Sequence, residues 1–159
     1  MPRRVADLLH TGGVLVYTSP STFVSDAARR MSQHNIGSIL VMESGRRLVG
    51  IFTERDLLQR VVVKQRDPKT TRIGDVMTQD VVVVAADTPR AEVLQMMEKF
   101  HIRHVPVSDG KQILGVISLR DVLRFENAEK EFEIEQLRDY FLHSAPRLMP
   151  EPHPPRIRS

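Results

Sequence analysis

The sequence has 159 residues, of which 41% are hydrophobic and 27% charged, proportions typical of a folded globular protein. It contains no cysteine, which excludes disulfides, thiolate catalysis, iron–sulfur clusters and cysteine-ligated zinc. The net charge is +3, no basic run is interleaved with aromatic residues, and no apolar run approaches the roughly 20 residues that cross a bilayer. We therefore expect a soluble, cytoplasmic protein with neither a nucleic acid nor a membrane as partner.

Six strands are predicted from short runs of valine, isoleucine and leucine. In chain order they cover residues 14–17, 38–42, 48–52, 81–84, 105–107 and 113–117. Turn residues separate the second from the third strand of each half, namely Ser44, Gly45 and Arg46, and then Asp109, Gly110 and Lys111. Each of these pairs is expected to form a hairpin, in which glycine or aspartate accommodates the unusual backbone angles.

A helix is predicted between the first and second strand of each half, because apolar residues recur there at the i, i+3, i+4, i+7 spacing. These residues are Val24, Ala27, Ala28 and Met31, and then Val93, Met96, Met97 and Phe100. Thr88 and Pro89 are expected to be the N-cap and the first residue of the second helix. Further short helices are expected to begin at Glu54 and Leu119.

These elements form two copies of one unit. Glycine, two apolar residues, a hydroxyl residue, two variable residues and aspartate occur at 50–56 and again at 115–121, 65 residues later. Upstream, residues 35–41 align with residues 101–107. Each unit reads β-α-β-β-α, which assigns the chain to the α/β (α+β) class.

The continuous apolar strands predict sheets that are buried on both faces, which a single unit of about 60 residues covers poorly. We expect the two sheets to pack against each other around an approximate two-fold axis, with two clefts between the repeats. The expected domains are residues 1–66 and 67–124 for the repeats, 125–143 for a C-terminal helix, and 144–159 for a proline-rich tail without a fixed fold.

The C-terminal helix is predicted because residues 125–141 are rich in glutamate and contain neither proline nor glycine. Ile134, Leu137 and Phe141 share one face of that helix. This apolar face either folds back onto its own domain or associates with a second copy of the chain.

The repeated motif places a hydroxyl where a strand becomes a helix, Thr53 in the first copy and Ser118 in the second. Backbone N–H groups and the positive end of the helix dipole lie at such a junction and suit a phosphate. The aspartate three residues later, Asp56 or Asp121, can accept hydrogen bonds from a ribose diol. The alternative, which is compatible with ligand binding, is that the hydroxyl is an N-cap and the aspartate supports the first helical turn.

Each motif lies between the third strand and the following helix of its unit. The two motifs resemble those of CBS domains, and the pair resembles a Bateman module from a stand-alone bacterial or archaeal CBS-domain protein. The resemblance covers roughly residues 5–124. It implies an energy-sensing regulatory module that binds an adenosine-containing nucleotide, AMP first, with ADP, ATP or NADH as alternatives. It further implies a homodimer, a regulated protein partner of unknown identity, no required cofactor and no enzymatic activity.

The family pattern assigns residues to each cleft by position. The cleft of Ser118 and Asp121 would include Gly13, Val14, Ile36, Gly37, Arg103 and His104. The cleft of Thr53 and Asp56 would include Ser38, Asp80, Val81, Ile102 and Arg103. Arg103 can pair bidentately with phosphate, whereas Gly37 at the matching position cannot, so the clefts are expected to differ. Asp80 would repel a phosphate but could accept from an adenine amino group, which leaves its role open.

Other functions have weaker support in the sequence. His101 and His104 have the spacing of a metal-binding pair, but they straddle a helix end and a strand start and no carboxylate lies at matching spacing, so no metal site is expected. His101 is expected to close the helix, and His104 to meet phosphate or solvent. No known catalytic motif is present, which argues against an enzyme. A constitutive protein-interaction scaffold with vestigial clefts is the remaining alternative.

Overall fold

The computed structural model describes residues 4–9, 15–44 and 46–144 of the chain, with side chains as far as Tyr140. The chain divides into two compact units, one up to Val122 and one from Leu123 onward. The helices are α1 (Val24–Gln33), α2 (Glu54–Asp56), α3 (Ile73–Val76), α4 (Arg90–Phe100) and α5 (Leu119–Ser144). The strands are β1 (Tyr17–Thr18), β2 (Ser38–Glu43), β3 (Arg47–Thr53), β4 (Val84–Ala85), β5 (His104–Ser108) and β6 (Ile113–Ser118). A 3-10 turn at Val5–Leu8 precedes β1, and the π-helical segment Leu57–Val62 continues α2.

The six strands form two three-stranded sheets of the same topology. In the first sheet β1 runs parallel to β2, which runs antiparallel to β3, and β4, β5 and β6 repeat this arrangement. Ile39 pairs with Phe52 in the first sheet as Val105 pairs with Ile117 in the second, and all four residues are buried. The repeated order predicted from the sequence is confirmed.

The first strand of each repeat is shorter and begins later than predicted. The predicted strands at 14–17 and 81–84 are reduced to two residues each, β1 and β4. Among the described strands, β1 pairs with β2 and β4 pairs with β5, each at the edge of its sheet. Leu15 and Val81, which precede them, pack instead against the buried layer between the sheets. Their apolar character reflects burial and not strand pairing.

Helix α4 begins one residue later than predicted and buries less of its predicted face. Pro89 is the N-cap, with extended backbone, and Arg90 is the first helical residue. Pro89 is extended because it forms a β-bridge with Arg4. Phe100, predicted to face the core, is 49% exposed in the last turn, with the Lys99 ammonium 5.4 Å from its ring centre.

The end of α4 follows the sequence prediction. His101 takes a left-handed conformation with φ of 53°, and Asn35 does the same after α1 with φ of 52°. A left-handed residue at this place turns the chain out of the helix and satisfies its last carbonyls. The two repeats therefore enter their second strands through the same turn.

The hairpin between β5 and β6 is also confirmed. Asp109 Oδ1 accepts hydrogen bonds from the N–H groups of Lys111 and Gln112, each at 2.9 Å. Gly110 has a φ of 94°, a conformation that favours glycine. In the first hairpin Arg46 has a φ of 59°, and Gly45 lies outside the described residues.

The two sheets face each other across a buried apolar layer, as predicted. Leu40, Met42 and Ile51 of the first sheet form its centre, and none is more than 6% exposed. Ile113 and Val116 of the second sheet pack against them. Burial of this apolar surface holds the repeats together as one unit.

Each repeat is completed by a short turn that precedes the other repeat in the chain. Helix α3 packs on the first repeat, where Ile73 is fully buried and its N–H donates to Thr22 O at 2.8 Å. The 3-10 turn packs on the second repeat in the same way, with Val5 fully buried and its N–H donating to Thr88 O at 2.9 Å. We call α3 and the 3-10 turn the exchanged turns, because each packs on the repeat that it does not directly precede. A repeat separated from its exchanged turn would lose part of its core.

The short helix predicted from Leu119 and the helix predicted at 125–141 are one element. Helix α5 runs unbroken to Ser144, because no proline or glycine interrupts it. The predicted tail at 144–159, apart from the helix end at Ser144, and the side chain of Phe141 lie outside the described residues. Within the described ranges, no helix is long and apolar enough to cross a membrane.

Replacing Ile73 with alanine is expected to lower the free energy of unfolding by about 2–5 kcal/mol, because truncating a buried isoleucine leaves a cavity. Urea denaturation followed by circular dichroism measures the change. Leu58→Ala is the control, because Leu58 is 57% exposed and its truncation is expected to have an effect of about 0.5 kcal/mol or less. Equal effects of the two substitutions would show that α3 is not part of the folded core.

Candidate functional site

Both repeated motifs form the same hydrogen-bonded turn. In the first, the Thr53 N–H donates to Asp56 Oδ2 at 3.0 Å and the Asp56 N–H donates to Thr53 Oγ1 at 3.2 Å. In the second, the Ser118 N–H donates to Asp121 Oδ2 and the Asp121 N–H donates to Ser118 Oγ, both at 3.1 Å. Each motif is a capping box, which satisfies two donors that the helix start would leave without partners. The capping interpretation therefore holds for both copies.

The first helical N–H after each hydroxyl is also occupied. The Glu54 N–H donates to Gly37 O at 3.0 Å, and the Leu119 N–H donates to Arg103 O at 2.8 Å. These bonds fix the residue before each second strand against the start of the following helix. They also leave fewer free backbone donors at each helix start than the motif alone predicts.

Asp56 is surrounded by protein partners and is only 6% exposed. Besides capping α2, its carboxylate accepts hydrogen bonds from the Thr78 hydroxyl, at 3.2 Å to Oδ1 and 3.3 Å to Oδ2. The Arg60 Nε lies 3.7 Å from Oδ1. Arg60 also donates to the carbonyls of Val76 and Met77, at 3.2 and 2.6 Å. Both carboxylate oxygens of Asp56 are therefore engaged.

Asp121 has fewer partners. It is half-buried, and within the described part of the chain its carboxylate makes only the capping bond through Oδ2. The residue that corresponds to Arg60 is Phe125, which cannot pair with a carboxylate. The Ser118 hydroxyl accepts from the Asp121 N–H and still has its own O–H to donate. Ser118 and Asp121 thus present one donor and one acceptor side by side.

The two repeats meet beside these motifs at Gly37 and His104. The His104 Nε2 lies 3.0 Å, and the Glu54 carboxylate 3.3 Å, from the position that a Cβ at residue 37 would take. Glycine at this position therefore permits the close approach. Burial lowers the pKa of His104, Arg103 adds to this effect, and the carboxylates of Glu54 and Asp121 partly oppose it. The imidazole is mostly neutral at pH 7 and offers one donor and one acceptor nitrogen.

Strand pairing places other predicted residues next to the motifs. Ser38 stands opposite Thr53 on β2 and β3, and His104 stands opposite Ser118 on β5 and β6. Arg103 is exposed and directly precedes β5. Arg103, His104 and Ser118 therefore form one cluster at the start of α5.

The remaining predicted residues are more widely spread. Ile36 packs against the helical core of the first repeat, and Val81 packs against the layer between the sheets. Ile102 is half-buried, and Asp80 is exposed. Gly13 and Val14 lie outside the described residues.

Three residues near the first motif were missed in the sequence analysis. Arg60 had a signal, because it follows Asp56 by four residues, the spacing of a helical ion pair. No sequence pattern connects Thr78 to Asp56, since the two are 22 residues apart. The approach of Glu54 to His104 depends on contact between the repeats, which a local pattern does not report.

His101 and His104 have different environments. His101 ends α4, and its carbonyl accepts a hydrogen bond from Arg55 at 3.1 Å. His104 stands in β5 against Gly37. In the described ranges, no group of three or more histidine, aspartate or glutamate side chains could hold a metal ion.

A surface depression lies at the far end of the first sheet. It is lined by Ser19, Pro20, Met42, Glu43, Ser44 and Arg47. Arg47 and Glu43 form an ion pair there at 2.6 Å. Ser38 and Thr53 lie at the opposite ends of the same strands, so this depression is separate from the candidate site.

Related proteins share this sequence pattern. The family model for the CBS domain matches residues 5–63 and 73–127. A mitochondrial CBS domain-containing protein of Arabidopsis thaliana is 35% identical over 132 residues, which are 80% of this chain and 64% of that protein. An arabinose 5-phosphate isomerase of Yersinia pestis is 34% identical over 121 residues, which are 76% of this chain and 37% of the isomerase. The chain therefore spans less than two thirds of the length of either relative.

Solved structures share the fold. A protein with CBS domains from Burkholderia ambifaria has a TM-score of 0.74 and 32% identity, covering 79% of this chain and 95% of that one. A hexameric CBS-CP12 protein from bloom-forming cyanobacteria has a TM-score of 0.71 and 27% identity, covering 91% of each chain. A CBS domain protein from Pyrobaculum aerophilum, solved in complex with AMP, has a TM-score of 0.68 and 23% identity, covering 75% of this chain and 89% of that one. The repeated fold, the paired motifs and the family match together show that this chain belongs to the CBS domain family and carries two copies of the domain.

Proposed function

We propose that this chain is a regulatory module that binds an adenosine-containing nucleotide where its two repeats meet. The observation that carries the proposal is the half-buried carboxylate of Asp121, which keeps one oxygen available beside the Ser118 hydroxyl. A carboxylate in such a position accepts hydrogen bonds from a ribose diol. AMP is the favoured ligand, and ADP, ATP and NADH share the adenosine part that Asp121 would recognise.

Side chains at the start of α5 supply the chemistry for a phosphate. Arg103 is exposed and can present its guanidinium to two phosphate oxygens at once. The Ser118 hydroxyl and the His104 ring can each donate one further hydrogen bond. The positive end of the α5 helix dipole lies at this place and adds to the attraction.

A ligand at this place would connect both repeats. His104 belongs to the second repeat, and it packs against Gly37 of the first. A nucleotide that binds one arrangement of the repeats more tightly than another shifts the population toward that arrangement. We propose this shift as the signal to a protein partner, and we propose no catalytic role for the groups that bind the nucleotide.

AMP is expected to raise the melting temperature of the protein, because a ligand that binds only the folded state stabilises it by mass action. At a concentration of about 100 times Kd the gain is about 2.7 kcal/mol. Scanning fluorimetry with AMP, ADP, ATP, NADH and S-adenosylmethionine at millimolar concentration measures the shift. GMP is the matched control, since it keeps the ribose and phosphate and changes the base. No shift with any adenosyl ligand would contradict the proposal and favour a scaffold with vestigial clefts.

Replacing Arg103 with glutamine is expected to weaken AMP binding by roughly 1.5–3 kcal/mol, because a hydrogen bond to a charged phosphate is lost. Adenosine, which lacks the phosphate, is expected to bind the variant as it binds the wild type. Isothermal titration calorimetry measures both affinities. Arg46→Gln removes the same charge from the exposed turn between β2 and β3 and serves as control. An equal loss for AMP and adenosine would show that Arg103 does not contact the phosphate.

We also propose a homodimer that forms through the part of α5 beyond Leu123. Ile134 and Leu137 are 50% and 57% exposed. Ile134 and Leu137 are three residues apart and lie on the same side of the helix. Exposed apolar residues grouped in this way are typical of protein contact surfaces. A second copy of the chain would bury them.

Replacing Leu137 with aspartate is expected to weaken the dimer, because a charge without a partner is costly in an apolar interface. Light scattering at micromolar concentration measures the mass. Gln136→Asp introduces the same charge at a neighbouring exposed polar position and is expected to remain dimeric. A wild-type mass near 18.1 kDa would contradict the dimer. If the Leu137→Asp protein is still a dimer, Ile134 and Leu137 are not part of the interface.

A further inference from the structure

We propose that the chain binds one nucleotide and not two, with Asp121 as the ribose ligand and Asp56 as a structural clamp. The inference rests on the proposed nucleotide-binding function and concerns which of the two clefts serves it. The two aspartates occupy equivalent positions in the repeated motif and make the same capping bonds. They differ in what surrounds the rest of the carboxylate.

A ribose diol would have to displace protein groups from Asp56. The Thr78 hydroxyl lies 3.2 and 3.3 Å from the two carboxylate oxygens, and Arg60 lies 3.7 Å from Oδ1. Exchanging these partners for ribose hydroxyls would replace existing hydrogen bonds with new ones and yield little net free energy. Asp56 is also only 6% exposed. Asp121 is half-buried, and within the described ranges no second donor contacts its carboxylate.

The partners of Asp56 give it a structural task. Thr78 exchanges two backbone hydrogen bonds with Ile51 of β3, at 2.8 and 2.9 Å. Arg60 donates to the carbonyls of Val76, the last residue of α3, and of Met77, the residue after it. Asp56 therefore holds the end of α3 and the residues after it against the first repeat. Removing its charge would loosen that attachment.

Charge at the two helix starts also distinguishes the clefts. Glu54 follows Thr53, but its carboxylate lies above Gly37 beside the His104 ring, so its charge acts near both motifs and does not by itself separate the clefts. The matching positions in the second repeat hold Leu119 and Arg103, a neutral residue and a cation. The Arg103 guanidinium, which has only Gly37 as its counterpart, favours a phosphate at the second motif.

Calorimetry with AMP on the full chain tests the inference. The wild type is expected to bind one AMP per chain. Asp121→Asn, which keeps the shape of the side chain and removes its charge, is expected to weaken binding roughly tenfold or more. Asp56→Asn is expected to keep the wild-type affinity and to melt roughly 2–10 °C lower without nucleotide. Asp121→Asn is expected to melt closer to the wild type. If Asp56→Asn does not fold, Thr78→Val removes one partner of the clamp and is expected to retain AMP binding.

Several outcomes would overturn the inference, and they are distinguishable from failure of the proposed function. Two AMP molecules per chain, or an Asp121→Asn protein with wild-type affinity, would reject the single-site assignment while nucleotide binding itself stands. Loss of AMP binding in a folded Asp56→Asn or Thr78→Val protein would place the ligand in the first cleft. If the wild type binds no AMP, the proposed function and the single-site assignment both fail. Equal melting temperatures of Asp56→Asn and Asp121→Asn without nucleotide would separately reject the structural role of Asp56.

Discussion

The hydrogen bonds between an aspartate and the hydroxyl residue three positions before it determine how each repeat ends its sheet and begins a helix. One carboxylate oxygen is committed to this turn in both copies. What the fold places against the rest of the carboxylate then decides its further role. Thr78 and Arg60 surround Asp56, which makes it part of the framework. No such pair reaches Asp121 in the described part of the chain, which leaves it suited to a ligand.

The near symmetry of the two repeats makes their differences informative. The exchanged turns, the left-handed helix ends and the bonds from Glu54 N–H to Gly37 O and from Leu119 N–H to Arg103 O recur in both repeats, so the backbone hydrogen bonds beside the two motifs match. The differences are in side chains, where Gly37 corresponds to Arg103 and Glu54 to Leu119. His104 of the second repeat packs on the bare backbone at Gly37. The two repeats therefore share one backbone arrangement and differ in the charged side chains around their motifs.

The parts of this fold that could be predicted are those with a repeated motif or a periodic pattern of apolar residues in the sequence. The six strands, helices α1 and α4 and the hairpins were predicted because apolar spacing and turn residues reflect local structure. The short first strands were overestimated, since Leu15 and Val81 are apolar for contact between the sheets and not for pairing. The packing of the exchanged turns was not predicted, because it depends on contacts between segments that are distant in the chain, such as Ile73 and Thr22.

Spacing alone singled out both motifs, Thr53 with Asp56 and Ser118 with Asp121, and the charge of Arg103 predicted that the clefts differ. Which of the two aspartates has further protein partners was not predicted. The second set of bonds to Asp56 comes from Thr78, which lies 22 residues away in the chain. A contact of this kind appears in the folded molecule and has no local sequence pattern.

A crystal structure of the chain grown with AMP tests this account most directly. The account predicts one nucleotide per chain, with its ribose hydroxyls on the Asp121 carboxylate, its phosphate near Arg103, and the Thr78 hydroxyl still bonded to Asp56. A ribose bound to Asp56, with Thr78 displaced, would contradict it.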